Sequence, residues 1–324
     1  MEKMDDSGQN EKIVIGISSC LLGEKVRYNG GHKWDRFLTD TLGKYVEYVP
    51  VCPEVECGMP VPRETLRLVG EPDNPRLLTF KTRKDFTGQM QAWGREKIGF
   101  LQEQDLCGYI FKSRSPSSGM RNIRVYREDG IPAGQGVGIW ARMFMENLPR
   151  IPVEDDGRLH DPDLRDNFIT RIFTMRRWRA LLSEGRSLGR LVEFHTGNKL
   201  LILSHSEKHY RQMGKLVAAG KEKPLPQLFS EYEELLLAAL KLKSTVKKNT
   251  NVLHHLLGYF KKQLSVDEKQ ELLEIIDQYH SGYIPLIVPV TLINHYVRKY
   301  DQPYLKKQTY LNPHPLDLKL RNHV

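Results

Sequence analysis

Along the first half of the chain, short apolar runs alternate with longer stretches of mixed polarity. Residues 13–17, 45–51, 107–111 and 123–126 are mostly apolar and of strand length, and 151–153 is a last short run. Between them, Met90, Trp93, Ile98 and Leu101 recur at helical spacing and predict a helix over about 85–104. Further helices are predicted over about 33–44 and 134–146. Residues 52–83, rich in Pro, Gly and Arg, read as a long loop. This alternation of strand and helix predicts an α/β fold with a doubly wound, mostly parallel sheet. Sheets of that kind bind ligands beyond the carboxyl ends of their strands.

After residue 160 the period changes. Asp161-Pro162 opens a predicted helix to Ser183, with proline at the first helical position. Residues 185–189 read as a linker. From Arg190 the pattern is helical throughout, in runs holding Leu191, Phe194, Leu201 and Leu203, then over 231–242, 252–262 and 290–300. Ser265 and Glu268 form a capping-box pattern that starts another helix to about Tyr279. The expected organisation is a tail over 1–11, an α/β domain over 12–155, a bridging helix and linker over 156–189, and a second, all-α domain over 190–324.

Composition adds a location and a partner class. Hydrophobic residues make up 40% and charged residues 27% of 324, as in ordinary soluble proteins with room for two cores. The tail is polar and acidic with no apolar core, so it reads as disordered and not as a signal peptide. The longest apolar run, 284–293, is broken by Pro285 and Pro289, and none is long enough to span a membrane. A cytoplasmic protein without membrane association is expected, and with it four reduced cysteines and no disulfides. Residues 186–324 hold 21 Lys and Arg against 13 Asp and Glu, whereas the preceding residues are nearly balanced. Nine of the eleven histidines also lie there. The asymmetry points to a polyanionic partner for the second half, or to a solvated, lysine-rich helical surface.

The candidate chemistry sits at strand ends. Cys20 follows the first strand, Cys52-Pro53-Glu54 the second, and Ser115-Pro116-Ser117-Ser118-Gly119 the strand over 107–111. No CxxC pair is present, which argues against a zinc ribbon or a thioredoxin-like site. Isolated cysteines on separate loops suit an iron–sulfur cluster with three protein ligands and one iron open to substrate. Cys107 opens a strand and reads as a small buried hydrophobe.

Residues of about 12–155 resemble the thiouracil desulfidase family. In that family a first cysteine follows a strand, as Cys20 does, a second lies in a Cys-Pro-Glu run, as Cys52 does, and a third ends a Ser-Pro-Ser-Cys-Gly or Ser-Pro-Thr-Cys-Gly run. The resemblance implies a 4Fe–4S cluster, with Glu54 as the acid/base that activates water and Ser115 orienting the base or the water. Ser118 stands where the family has its third cysteine. A hydroxyl ionises far above a thiol's value of roughly 8.5 and is a harder ligand. Three readings follow: an engineered cysteine-to-serine change; natural divergence, with Ser118 ligating weakly or Cys57 helping; or loss of cluster and activity. Arg27, Arg63 and Lys112 lie near the strand ends and either contact a nucleotide phosphate or form ion pairs.

Basic residues interleave with His and Tyr in the helical half: His195, Lys199, His209 and Arg211, then Asn251, His255 and Lys261, with residues 308–315 closing the set. They suit phosphate contacts and base stacking, or else a polar network between helices. His205 and His209 are four apart on one predicted helix, but no third ligand completes a zinc set. Residues of about 190–315 resemble a second family of helical domains. The fusion resembles the tRNA 4-thiouridine desulfidases, which implies tRNA containing 4-thiouridine as partner and substrate. The expected function is an iron–sulfur desulfidase releasing uridine and sulfide. The alternatives are a desulfidase of free 4-thiouracil or its nucleotides, and a tRNA-binding protein without catalysis.

Overall fold

The computed structural model describes residues 12–323; the tail over 1–11 lies outside the described residues. The chain divides into two compact units, with the boundary between Leu159 and His160.

The first unit is built on a four-stranded parallel sheet. Its strands are β1 (Ile13–Ser18) and β2 (Val46–Val51). After β2 come a one-turn helix α1 (Pro53–Glu56), strands β3 (Leu66–Glu71) and β4 (Asn74–Thr79), and helix α2 (Thr87–Gln102). Then follow β5 (Gly108–Phe111), β6 (Ile123–Tyr126), β7 (Pro132–Gly136), helix α3 (Ile139–Asn147) and β8 (Val153–Asp155). The first sheet has the order β2-β1-β5-β8, all parallel. The order reverses between β1 and β5, which is the switch point where such sheets open a crevice. β5 is buried along its whole length, as a central parallel strand should be.

Aromatic packing fixes α3 and α2 against this sheet. Tyr109 lies 4.4 Å from Phe144, Trp140 lies 4.9 Å from Trp93, and Trp140 Nε1 donates to the Tyr109 hydroxyl at 3.1 Å. Gly16 makes this possible: a Cβ there would lie 2.2 Å from the Tyr109 ring on the neighbouring strand.

The structure corrects the sequence-derived elements in three places. The expected loop over 52–83 contains the hairpin β3–β4, part of a second sheet of order β4-β3-β6-β7. Pro75 disguises it, yet β4 is an edge strand, where a missing N–H is tolerated. The expected helix over 134–146 starts only at Ile139; Pro132–Gly136 is extended because it pairs antiparallel with β6, and Gly136 lies against Pro72, whose carbonyl oxygen would be 2.8 Å from a Cβ. The expected helix over 33–44 is a widened π-turn at Phe37–Thr41 running into a 3-10 turn at Leu42–Lys44. There the Leu38 carbonyl accepts both the Leu42 N–H and, at 2.7 Å, the Tyr48 hydroxyl.

The second unit is all helical: α4 (Pro162–Ser183), α5 (Leu188–His205), α6 (Glu207–Ala218), α7 (Leu225–Lys241), α8 (Val246–Gly258), α9 (Val266–His280), α10 (Ile287–Lys299) and the short α11 (Pro303–Lys306). Asp161 caps α4 by accepting from Leu164 N, and the Ser265–Glu268 capping box is formed. Helix α4 packs inside this unit: Trp178 lies 5.2–5.6 Å from Phe194, Phe229 and Tyr232, and its Nε1 donates to Glu233 at 3.0 Å. The closing segment is a polar brace. Gln308 and Thr309 donate to the carbonyls of Thr196 and Gly197, and the Tyr310 hydroxyl donates to Asn249. No helix among the described residues is long and apolar enough to cross a membrane.

Candidate active site

Four strand ends supply the site. Cys20 lies in a 3-10 turn directly after β1, held where its carbonyl accepts from Lys33 N at 2.8 Å. Cys52 ends β2 and caps α1, with its N–H donating to Glu56 Oε1 at 2.8 Å; Lys97 fixes the other Glu56 oxygen at 3.0 Å. That short helix, with Pro53 at its first position, turns Glu54 back towards the serine loop after β5.

Glu54 is the hub. Its Oε1 accepts from the Ser117 hydroxyl and, at 3.4 Å, from the Ser115 hydroxyl. Its Oε2 lies 3.6 Å from Cys52 Sγ and 3.8 Å from an Arg63 guanidinium nitrogen. Arg63 in turn donates to the Val26 carbonyl at 3.0 Å, which ties the loop after β1 to the loop after β2. Ser115 and Ser117 are 2.8 Å apart, and Ser115 Oγ accepts the N–H groups of Ser117 and Ser118. With the Ser117 proton on the carboxylate, the Ser115 proton goes either to Ser117 or to the more distant Glu54 Oε1. Gly138 gives this loop its room: a Cβ there would sit 2.4 Å from the Ser117 carbonyl oxygen.

A second ion pair locks the floor. Lys112 Nζ meets Asp156 Oδ2 at 2.8 Å and two Ser113 oxygens at 3.0 and 3.1 Å, while Ser113 N donates to Asp156 Oδ1 at 2.6 Å. Ser18 Oγ accepts Lys112 N at 2.9 Å, so β1, β5 and β8 are tied together at their carboxyl ends. The Lys112 ammonium is committed to this lock.

All four cysteines are free and buried. Burial pushes the Cys20 thiol up to about 11 against the opposing Lys112 charge; burial and then the Glu54 carboxylate push Cys52 up to about 12. Cys57 is raised to about 11 by burial, packs in the apolar core with Met59 and Leu68, and points its Sγ at the Glu54 carbonyl at 3.4 Å. Ser118 is 3% exposed on the loop that carries Ser117. Arg27 lies against the ring of Tyr28, near enough for its charge to act on Cys20.

The structure thus gathers Cys20, Cys52, Glu54, Ser115, Arg63 and Lys112 from the sequence-derived set. It adds Ser117 and Asp156. Ser117 lies inside the recognised serine run, where nothing local says which hydroxyl reaches the glutamate. Asp156 follows β8, whose sequence Val153-Glu154-Asp155 carries two acidic residues and so gave no apolar strand signal next to it.

The second-unit candidates are dispersed. His195 Nδ1 lies 3.2 Å from the Tyr232 hydroxyl, and burial lowers its pKa to about 4. Lys199 stands over the Tyr304 ring at 4.9 Å. Arg211 pairs with Glu207 at 2.6 Å, and Asn251, His255 and Lys261 are exposed. The pairing of His205 with His209 on one helix face is corrected: Ser206 adopts extended backbone, ends α5 and caps α6, so the two histidines lie on different helices. His205 Nδ1 bonds the Leu242 carbonyl at 2.6 Å, and His209 Nδ1 bonds Ser206 at 2.8 Å.

The first unit thus gathers a carboxylate and two thiols at the switch point of a parallel sheet, in an α/β unit followed by a helical one. Residues 15–156 match a protein family described as 2-thiouracil desulfurase, and residues 199–315 match a family of unknown function, DUF1722. The uncharacterized protein YbgA of Escherichia coli (strain K12) is 32% identical over 158 residues, covering 48% of this chain and 94% of that protein, and the chain belongs to its family. The uncharacterized protein YbbK of Bacillus subtilis (strain 168) is 28% identical over 114 residues, 33% of this chain and 73% of that protein. Among solved structures, the [4Fe-4S]-dependent thiouracil desulfidase TudS shares 28% identity, with a TM-score of 0.37, over 47% of this chain and 95% of its own.

Proposed function

We propose that the first unit is an iron–sulfur-dependent desulfidase that removes sulfur from 4-thiouridine in tRNA, giving uridine and sulfide. The observation that carries this reading is the convergence of Glu54 with Cys52 and the Ser115–Ser117 pair, with Cys20 near enough to feel the Glu54 charge. The matched desulfurase family supports a thiocarbonyl as the bond broken. The basic second half supports a polyanionic carrier of the base.

Cys20 and Cys52 would hold an iron–sulfur group through two soft sulfurs, and the third position offers the harder oxygen of Ser118. Cys20 and Cys52 are buried thiols at neighbouring strand ends, and Ser118 brings an oxygen on the third loop. Burial keeps both thiols neutral in the protein alone, and bound iron would favour their thiolates and offset that. When bound, the cluster supplies a soft, Lewis-acidic iron for the thiocarbonyl sulfur. The remaining work falls to the chain. Glu54 takes a proton from the water that adds to C4. Ser117 holds its Oε1, Ser115 supports Ser117 at 2.8 Å, and Arg63 lies beside its Oε2. The water oxygen becomes the uridine carbonyl, and its two protons leave with the sulfur as hydrogen sulfide. The helical unit grips the RNA through its lysines and arginines.

The test is anaerobic incubation of thiolated tRNA with protein reconstituted with iron and sulfide, following thiouridine absorbance. Loss of absorbance with release of sulfide is expected. A Ser118→Cys variant carrying a full cluster that leaves the absorbance unchanged overturns the proposal. Turnover of free 4-thiouracil but not of tRNA moves the substrate to the free base.

A further inference from the structure

Four helical elements of the second unit bring three tyrosines and a lysine together. Tyr259, at the end of α8, stacks on Tyr304 of α11 with ring centroids 5.0 Å apart and planes 20° from parallel. Lys199 of α5 holds its ammonium 4.9 Å from the Tyr304 ring centre, and its charge is felt at the Tyr259 hydroxyl. Tyr210 of α6 is near enough to act on the Tyr304 hydroxyl.

Two features separate this cluster from ordinary core packing. Tyr259 keeps 41% of its surface exposed although Tyr304 covers one face of its ring. Among the described residues no carboxylate pairs with Lys199, whose ammonium lies against the Tyr304 ring instead. An uncompensated cation over one tyrosine, beside the open ring of another, matches a nucleotide: a flat base for the ring and a phosphate for the ammonium. Exposed His255, Lys261 and Lys262 extend the positive surface along the same helix end.

We propose that Tyr259, Tyr304 and Lys199 form a platform on which one unpaired nucleotide of a bound RNA stacks its base against Tyr259 and sets its phosphate against Lys199. The proposal rests on reading the second unit as RNA-binding. The ligand is single-stranded RNA, because a base paired inside a duplex offers no free face for the ring.

The test uses the full chain and a fluorescein-labelled oligouridylate, read by anisotropy, with melting temperatures confirming that each variant folds. Tyr259→Ala should weaken binding about 10- to 100-fold, while Tyr259→Phe, which keeps the ring, stays within about twofold. Lys199→Gln should weaken binding and make the log–log salt slope shallower by about one. Equal binding by Tyr259→Ala and wild type overturns the platform, as does a Tyr259→Phe variant as weak as Tyr259→Ala. Competition by uridine monophosphate as strong as by unlabelled oligouridylate also overturns it, placing a free nucleotide there. If wild type binds neither oligouridylate nor tRNA, the RNA-binding reading itself falls. If tRNA binds and Tyr259→Ala changes nothing, only the platform falls.

Discussion

Ser117 donates its hydroxyl to Glu54 Oε1 across 63 residues of sequence, and the Ser115 hydroxyl backs it up at 2.8 Å. The carboxylate is thereby aimed by a side chain that the first sheet delivers from a different strand end. Ser115 sits farther from Glu54, at 3.4 Å, and spends its oxygen on the N–H groups of Ser117 and Ser118. Ser115 therefore shapes the loop, and Ser117 holds the acid/base group.

That division predicts unequal losses. In reconstituted protein, Glu54→Gln should lower the desulfidation rate by about 100-fold or more, in keeping with loss of a general base. Ser117→Ala should cost more in rate than Ser115→Ala at equal cluster content. Losses of equal size would show that Ser115 holds the carboxylate as much as Ser117 does, and no loss in either variant would show that neither orients it.

Cluster retention should follow ligand chemistry. Ser118→Cys replaces a hard oxygen by a soft sulfur, so it should hold more iron and acid-labile sulfide per chain and lose them more slowly to a chelator. Cys57→Ser should leave iron content unchanged, because Cys57 belongs to the apolar core. Iron and sulfide analysis after anaerobic reconstitution checks both.

Gly138→Ala places a methyl group against the Ser117 carbonyl oxygen, at 2.4 Å in the unrelaxed backbone. Overpacking of this kind costs about 1–3 kcal/mol. The serine loop has to shift, so activity should fall more than tenfold while thermal unfolding stays cooperative. Calorimetry alongside the rate assay separates the two effects.

The helical unit should be acid-sensitive. Burial lowers His205 to about 4, outweighing its bond to the Leu242 carbonyl and the nearby Asp166 charge. The unfolded chain, with an ordinary histidine, then binds more protons than the folded one below about pH 6.5. The neutral-state stability is complete above that pH and is lost as the pH falls towards 4, by up to about 3 kcal/mol for this one group. His205→Gln should flatten the fall in melting temperature over this window.

The sequence by itself determined the class of each half. Continuous apolar runs such as β5 place a buried parallel strand, and 3.6-residue periodicity with the Asp161 and Ser265 caps places helices, because these signals report a residue's own element. The motif residues at strand ends were legible for the same reason: in a parallel sheet the carboxyl ends all face one side, so Cys20, Glu54 and Ser115 had to share it. Only the tertiary structure decided which serine reaches Glu54, that Asp156 claims Lys112, and that Cys57 turns into the core. It also decided that Pro75 sits in an edge strand and that Ser206 separates His205 from His209. Each of these depends on contacts between segments far apart in the chain or on a single residue's backbone angle, and neither leaves a period in the sequence.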